Sequence, residues 1–132
     1  MADITASFRV MSEDLDSDEV SRVLGLSPHH THLRGSPRIG HSGHRYSDFS
    51  EGLWELRSVL GVSEPLDAHL RGLATILEVR KEALSRLRDL GHELDIFVGI
   101  FDEGGNTMIK LKAETLARIS NIDVPLIFDV YT

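Results

Sequence analysis

Residues Ile4 to Met11 alternate in polarity: Ile4, Ala6, Phe8 and Val10 fall on one side, Thr5, Ser7, Arg9 and Met11 on the other. A period of two is that of a strand with one buried face. The next stretch, "SEDLDSDEVSRVLGL", changes period. Asp16 can accept from the free N–H groups of a helix start, and Glu19 three residues on completes a capping-box-like pattern. Val20, Val23 and Leu24 supply the inward stripe, and Gly25 the stop. Pro28 to Gly35 predicts a brief second strand. Ser36 to Ser50, with Pro37, Gly40, Gly43 and several serines, reads as a long loop. From Gly52 to Val59 the alternation returns, with Trp54 and Leu56 on one face and Glu55 and Arg57 on the other.

Leu66, Leu70, Leu73, Leu77, Leu84 and Leu87 recur at helical spacing. They predict one long helix that begins after Pro65 and stops at Gly91, with Gly72 as the place for a bend. Unbroken, about 25 residues would span about 37 Å, longer than a small sheet is wide. Then "HELDIFVGIFDEGGNTMIKLK" predicts a hairpin: Leu94, Ile96, Val98 and Ile100 on one face, a turn at Gly104–Gly105–Asn106, and a return strand through Thr107, Ile109 and Leu111. A short helix over Ala113–Ser120 is expected to end at Asn121. The last strand has Val124, Leu126, Phe128 and Val130 inward, with Pro125 near its start.

This order of elements predicts an α+β fold: a two-layer sandwich, a mainly antiparallel sheet with helices on one face. If the short second strand is real, the β-α-β-β-α-β run has ferredoxin-like connectivity. At 132 residues the chain fits one domain, with no internal repeat.

Composition then narrows the function. With no cysteine there is no disulfide, thiol nucleophile or Cys-based metal site. The start "MADITASFRV" has no secretory pattern and no segment is apolar enough to span a bilayer, so a soluble, cytoplasmic protein without membrane attachment is expected. A net charge of −7 argues against nucleic acid as a partner. Against that background "HHTHLRGSPRIGHSGHRY", residues 29–46, is a basic island holding Arg34, Arg38 and Arg45.

That stretch also carries five of the seven histidines. Neutral imidazole is a good ligand for zinc and other transition metals. His30, His32, His41 and His44 are therefore the candidate metal ligands, with Asp48 as an oxygen donor. Opposing this, tetrahedral zinc needs ligands fixed in direction, and a Gly/Ser/Pro loop beside three arginines does not fix them. The polar-loop reading is preferred, with no cofactor. The arginines alternatively make a small-anion sensor. Asp14, Asp16 and Asp18 have the start of a calcium-loop spacing, but Glu19 and Gly25 stand where the loop needs Gly and Glu. There is no phosphate-binding glycine loop and no G-x-S-x-G elbow.

The more promising surface is the sheet face opposite the helices. Arg9, Trp54, Arg57, Asp95, Phe97, Asp129 and Tyr131 are the candidate binding residues, the alternation placing Thr5, Ser7 and Glu55 beside them. Aromatic and arginine side chains anchor protein interfaces.

The segments "EDLDSDEVSRVLGLSP", "EGLWEL", "VRKEALSRLRDLGHELDIFVGIFDEGGNTMIKL" and "LIFDVY" resemble a bacterial family catalogued as domain of unknown function 4279. The resemblance covers nearly the whole chain outside the histidine-rich loop, implies a small domain, and transfers no catalytic residue. The expectation is a non-catalytic protein-binding module, immunity- or antitoxin-like, whose partner is another protein and which is itself a monomer or homodimer. The alternative is a metal-binding protein or metal-dependent enzyme built on the histidine loop.

Overall fold

The computed structural model describes residues 2–40 and 43–132. Strand β1 (Asp3–Ser12) leads into helix α1 (Ser17–Leu24), followed by β2 (His30–His32), β3 (Arg38–Ile39), β4 (Arg45–Tyr46) and β5 (Gly52–Arg57). Helices α2 (Leu66–Leu77) and α3 (Lys81–Asp89) come next, then β6 (Glu93–Phe101), α4 (Ala113–Ile122) and β7 (Leu126–Tyr131). Five strands form one sheet in the order β2-β5-β1-β6-β7, and β3 and β4 make a separate two-stranded ribbon. All contacts within the main sheet are antiparallel except β6 with β7.

The fold is α+β, with the mainly antiparallel sheet expected from the alternation. Strand β5 lies between β1 and β2, and β1 between β5 and β6. Each β-α-β unit is thus split by a strand of the other, which is ferredoxin-like connectivity. Strand β7 is added outside it, beyond α4.

Local chemistry explains several boundaries. The Asp16 carboxylate accepts from the amides of Asp18 and Glu19, and Gly25, at φ 67°, closes the C-terminus of α1. Gly52 opens β5 where a Cβ would stand 2.5 Å from the Cβ of Leu15, so only glycine lets the strand pass there. The inner sheet face meets the helices in one core. It is built on Phe8, Val10, Trp54, Ile96 and Val98 from the strands and on Val20, Leu70, Leu73, Leu84, Leu87 and Ile122 from the helices.

Five expectations are corrected. The long helix is broken, not at Gly72 but by a 3₁₀ turn over Glu78–Arg80. There the Arg80 guanidinium donates to the carbonyls of Leu24 and Ile76 (2.8 and 2.7 Å), and Arg118 pairs with Glu78. The hairpin after β6 does not form, because β1 and β7 already occupy both edges of β6; residues 102–112 run as a loop instead. Helix α4 runs on to Ile122 and is capped by Asp123 in the left-handed region (φ 63°), rather than at Asn121. In β7, Phe128 and Val130 do face the helix side, but as parts of an edge strand they remain 47% and 56% exposed. Finally, the segment 36–50 is not all loop, since it contains the β3–β4 ribbon.

Candidate functional site

In an antiparallel pair, residues directly opposite one another project to the same face within about 5 Å at Cβ. The registers therefore build the outer sheet face row by row. One row runs His30, Glu55, Arg9, Asp95 across β2, β5, β1 and β6. The next runs Arg57, Ser7, Phe97, Ile127, and beyond it lie Thr5, Gly99 and Asp129, then Asp3, Phe101 and Tyr131.

The centre of this face is a bidentate ion pair. Arg9 donates from Nε and Nη2 to the two carboxylate oxygens of Asp95 at 2.8 and 2.7 Å. Asp95 is only 3% exposed, although it lies on the side of the sheet away from the helices. The hydrogen bond to Asp95 raises the Arg9 pKa further above its ordinary value. The guanidinium also sits 4.3 Å from the centre of the Phe97 ring, a cation–π contact that holds it flat against the sheet. Beside it, Glu55 accepts from the Ser7 hydroxyl (3.1 Å) and from Arg57 Nε (2.8 Å). Ser7, Glu55, Arg57 and Phe97 line a cleft of about 410 Å³ together with Leu60 and Val62. At the opposite end of the face Tyr131 stacks on Phe101 (centroids 4.8 Å apart) and donates its hydroxyl to Asp129, which raises the Tyr131 pKa.

Six of the seven candidate binding residues, Arg9, Arg57, Asp95, Phe97, Asp129 and Tyr131, are thus brought to one face. Trp54 is not among them. It pairs with Val10 on the inner face, is fully buried, packs edge-on to Phe8 and donates its indole N–H to Ser21 Oγ at 3.0 Å. The same alternation that puts Glu55 and Arg57 outside puts Trp54 inside, so it is a core residue.

The histidines divide. His30 and His32 lie on the outer face through the pairing of β2 with β5, their rings in contact, Nε2 of His30 3.3 Å from Nδ1 of His32. His32 also stacks on Phe49 with centroids 3.5 Å apart, and burial lowers its pKa, with the neighbouring His30 adding to the shift. His44 instead packs against Tyr46 in the β3–β4 ribbon. His41 lies outside the described residues. Among the described residues no group of three or more His, Cys, Asp or Glu side chains is placed to hold a metal ion. Asp48 accepts from Arg45 at 3.1 Å, Arg34 reaches Glu13 at 3.4 Å, and Arg38 lies over the Tyr46 ring. The three arginines of the supposed anion site thus each have a different neighbour.

Sequence reasoning missed two polar anchors under the helices. His69, 1% exposed, is hydrogen-bonded through Nδ1 to Ser58 Oγ at 2.7 Å, and burial lowers its pKa. The signal was its place at helical spacing between Leu66, Leu70 and Leu73. Asp67 accepts from the Lys112 backbone N–H at 2.9 Å at the start of α4, which lowers its pKa. Nothing in the sequence links residues so far apart.

The chain belongs to the family described as domain of unknown function (DUF4279), whose model matches residues 2–132. No curated protein and no solved structure matches it. Among the described residues, no helix is long and apolar enough to cross a membrane.

Proposed function

We propose that the chain is a binding module, immunity- or antitoxin-like, that docks a protein partner on the outer face of its sheet and performs no reaction there. The observation that carries this reading is the Arg9–Asp95–Phe97 centre. A carboxylate is held almost completely out of water on the side of the sheet that no helix covers, by a bidentate arginine that is itself clamped on a ring. Side chains fixed in this way lose little freedom on binding, which favours affinity.

Electrostatics indicate the kind of partner. On the face Arg9 and Arg57 are answered by Asp95 and Glu55, which among the described residues leaves Asp3, Glu93 and Asp129 opposite no cation in the register. With a net charge of −7 the chain would steer a basic partner, and the cleft beside Glu55 and Phe97 has room for an inserted side chain. The test immobilises tag-free wild type and an Arg57→Ala/Phe97→Ala variant of verified fold, and exposes both to lysate of the source cells. A stoichiometric basic protein held by wild type, lost from the variant and released by raising salt from 50 to 300 mM supports the reading. Equal retention by the variant, or no stoichiometric partner at low salt, refutes it.

A further inference from the structure

The two edges of the main sheet are built differently. Strand β2 is three residues long and reads His-Thr-His. Strand β7 is six residues long, "LIFDVY", with no lysine, no internal proline and one charge. Edge strands are ordinarily blunted by shortness, charge, proline or bulges, because their free N–H and C=O groups template another strand. Here β2 is blunted and β7 is not.

The pairing to β6 shows which groups are free. The carbonyls of Pro125 and Tyr131 accept from the amides of Ile96 (2.9 Å) and Asp102 (2.8 Å). Odd-numbered residues of β7 therefore turn their backbone polar groups toward β6, and Leu126, Phe128 and Val130 turn theirs outward. Apolar side chains flank this open ladder on both faces: Phe128 at 47% and Val130 at 56% exposure on the helix side, Ile127 at 40% and Tyr131 at 50% on the other. Leu116 of α4, 47% exposed, and Phe101, 44% exposed, extend the apolar area.

From this we infer that β7 pairs antiparallel with β7 of a second copy of the chain, joining two sheets into one continuous ten-stranded sheet with all helices on one side. The strand is complementary to itself. With Phe128 opposite the second copy's Phe128 on a twofold axis, Leu126 falls opposite Val130, and the outward backbone groups make about six hydrogen bonds. In that register Asp129 faces Ile127 rather than the other Asp129, so the only charge of the strand meets no like charge directly across. The exposed parts of the six apolar side chains amount to on the order of 500 Å² per copy, so the pairing can cover at most about 1,000 Å² of apolar surface in total, the size of a weak dimer that forms in the micromolar range. A heterologous strand would gain the backbone bonds but not this matched register.

The consequence for salt is opposite to that for a basic partner. Two copies with net charge −7 repel, and salt screens the repulsion, so the dimer tightens as salt rises. Analytical ultracentrifugation of tag-free protein at 5–200 µM, in 50 and 300 mM salt, tests this with three chains: wild type, Phe128→Lys and Val130→Pro. Both substituted positions are half exposed, so folding is retained and is checked by circular dichroism. Wild type is expected to reach twice the monomer mass within this range, earlier at high salt, with both variants monomeric throughout. A monomeric wild type at 200 µM in both salts, or a dimer that survives both substitutions, overturns the inference. Neither result bears on partner capture by the outer face, which the Arg57→Ala/Phe97→Ala variant reads separately.

Discussion

The Arg9–Asp95 pair makes an asymmetric prediction. Removing one member of a fully buried pair costs about 3–5 kcal/mol, chiefly because the other charge stays behind without a partner. The side chain of Asp95 is 4% exposed and that of Arg9 is 21%. Arg9→Met therefore strands a carboxylate out of water and should cost about 3 kcal/mol. Asp95→Asn strands a guanidinium that keeps one face in water, the Phe97 ring and Glu55 nearby, and solvent screening reduces its cost to about 1–2 kcal/mol. The double variant retains neither charge and should cost about 2 kcal/mol, so the coupling across the cycle is about 2–3 kcal/mol. Trp54, the single tryptophan and fully buried, reports urea unfolding by its fluorescence. In thermal melts Arg9→Met should lower Tm by roughly 10–15 °C. A coupling below about 0.5 kcal/mol, or equal costs for the two single variants, would refute the view that this pair locks the outer face.

Other outcomes follow from features already described. Asp16→Ala removes the acceptor for two helix amides and should cost about 1 kcal/mol in urea melts, with Asp16→Asn nearly neutral. Gly52→Ala drives a methyl group into Leu15 and should cost about 1–3 kcal/mol; a smaller effect would mean that the α1 approach yields easily. His69, lowered below its unfolded pKa of about 6.5, is neutral in the fold, so its contribution is complete above that value and is lost as pH falls toward the folded pKa. The stability of His69→Gln should accordingly fall less than that of wild type between pH 7.5 and 5. Zinc calorimetry at pH 7.5 on tag-free protein should show only weak uptake; tight one-to-one binding lost in His30→Ala/His32→Ala would instead place a metal on β2.

What the sequence disclosed depended on whether one local pattern decided the outcome. The period of β1 and the apolar face of β6 were legible because both strands are buried against helices over most of their length. The cap of α1 was legible because it is a contact within four residues. The break at Glu78–Arg80 was hidden because no glycine or proline marks it; the contacts there come from Leu24 and Arg118, far away in the chain. The hairpin failed for a topological reason, since "DEGGN" is turn chemistry but β6 had no edge left to offer. In β7 the alternation gave the right face and the wrong burial, because period two fixes direction and not what covers the strand. Of the candidate face, alternation located the six residues correctly; what it could not give was the pairing of Arg9 with Asp95, which needs the register between β1 and β6.

The position of β1 has a kinetic consequence. Synthesised before every other element of the sheet, it comes to rest between β5 and β6, and its pairing extends from Asp3 to Phe101. On the ribosome its β5 edge can be covered once residue 57 has been made, but its β6 edge stays open until residues 93–101 follow. Contacts so distant along the chain close slowly, on the millisecond-to-second scale of β-rich domains, and an unpaired strand is a target for aggregation during that wait. Refolding yield should accordingly depend on protein concentration more steeply than native stability does.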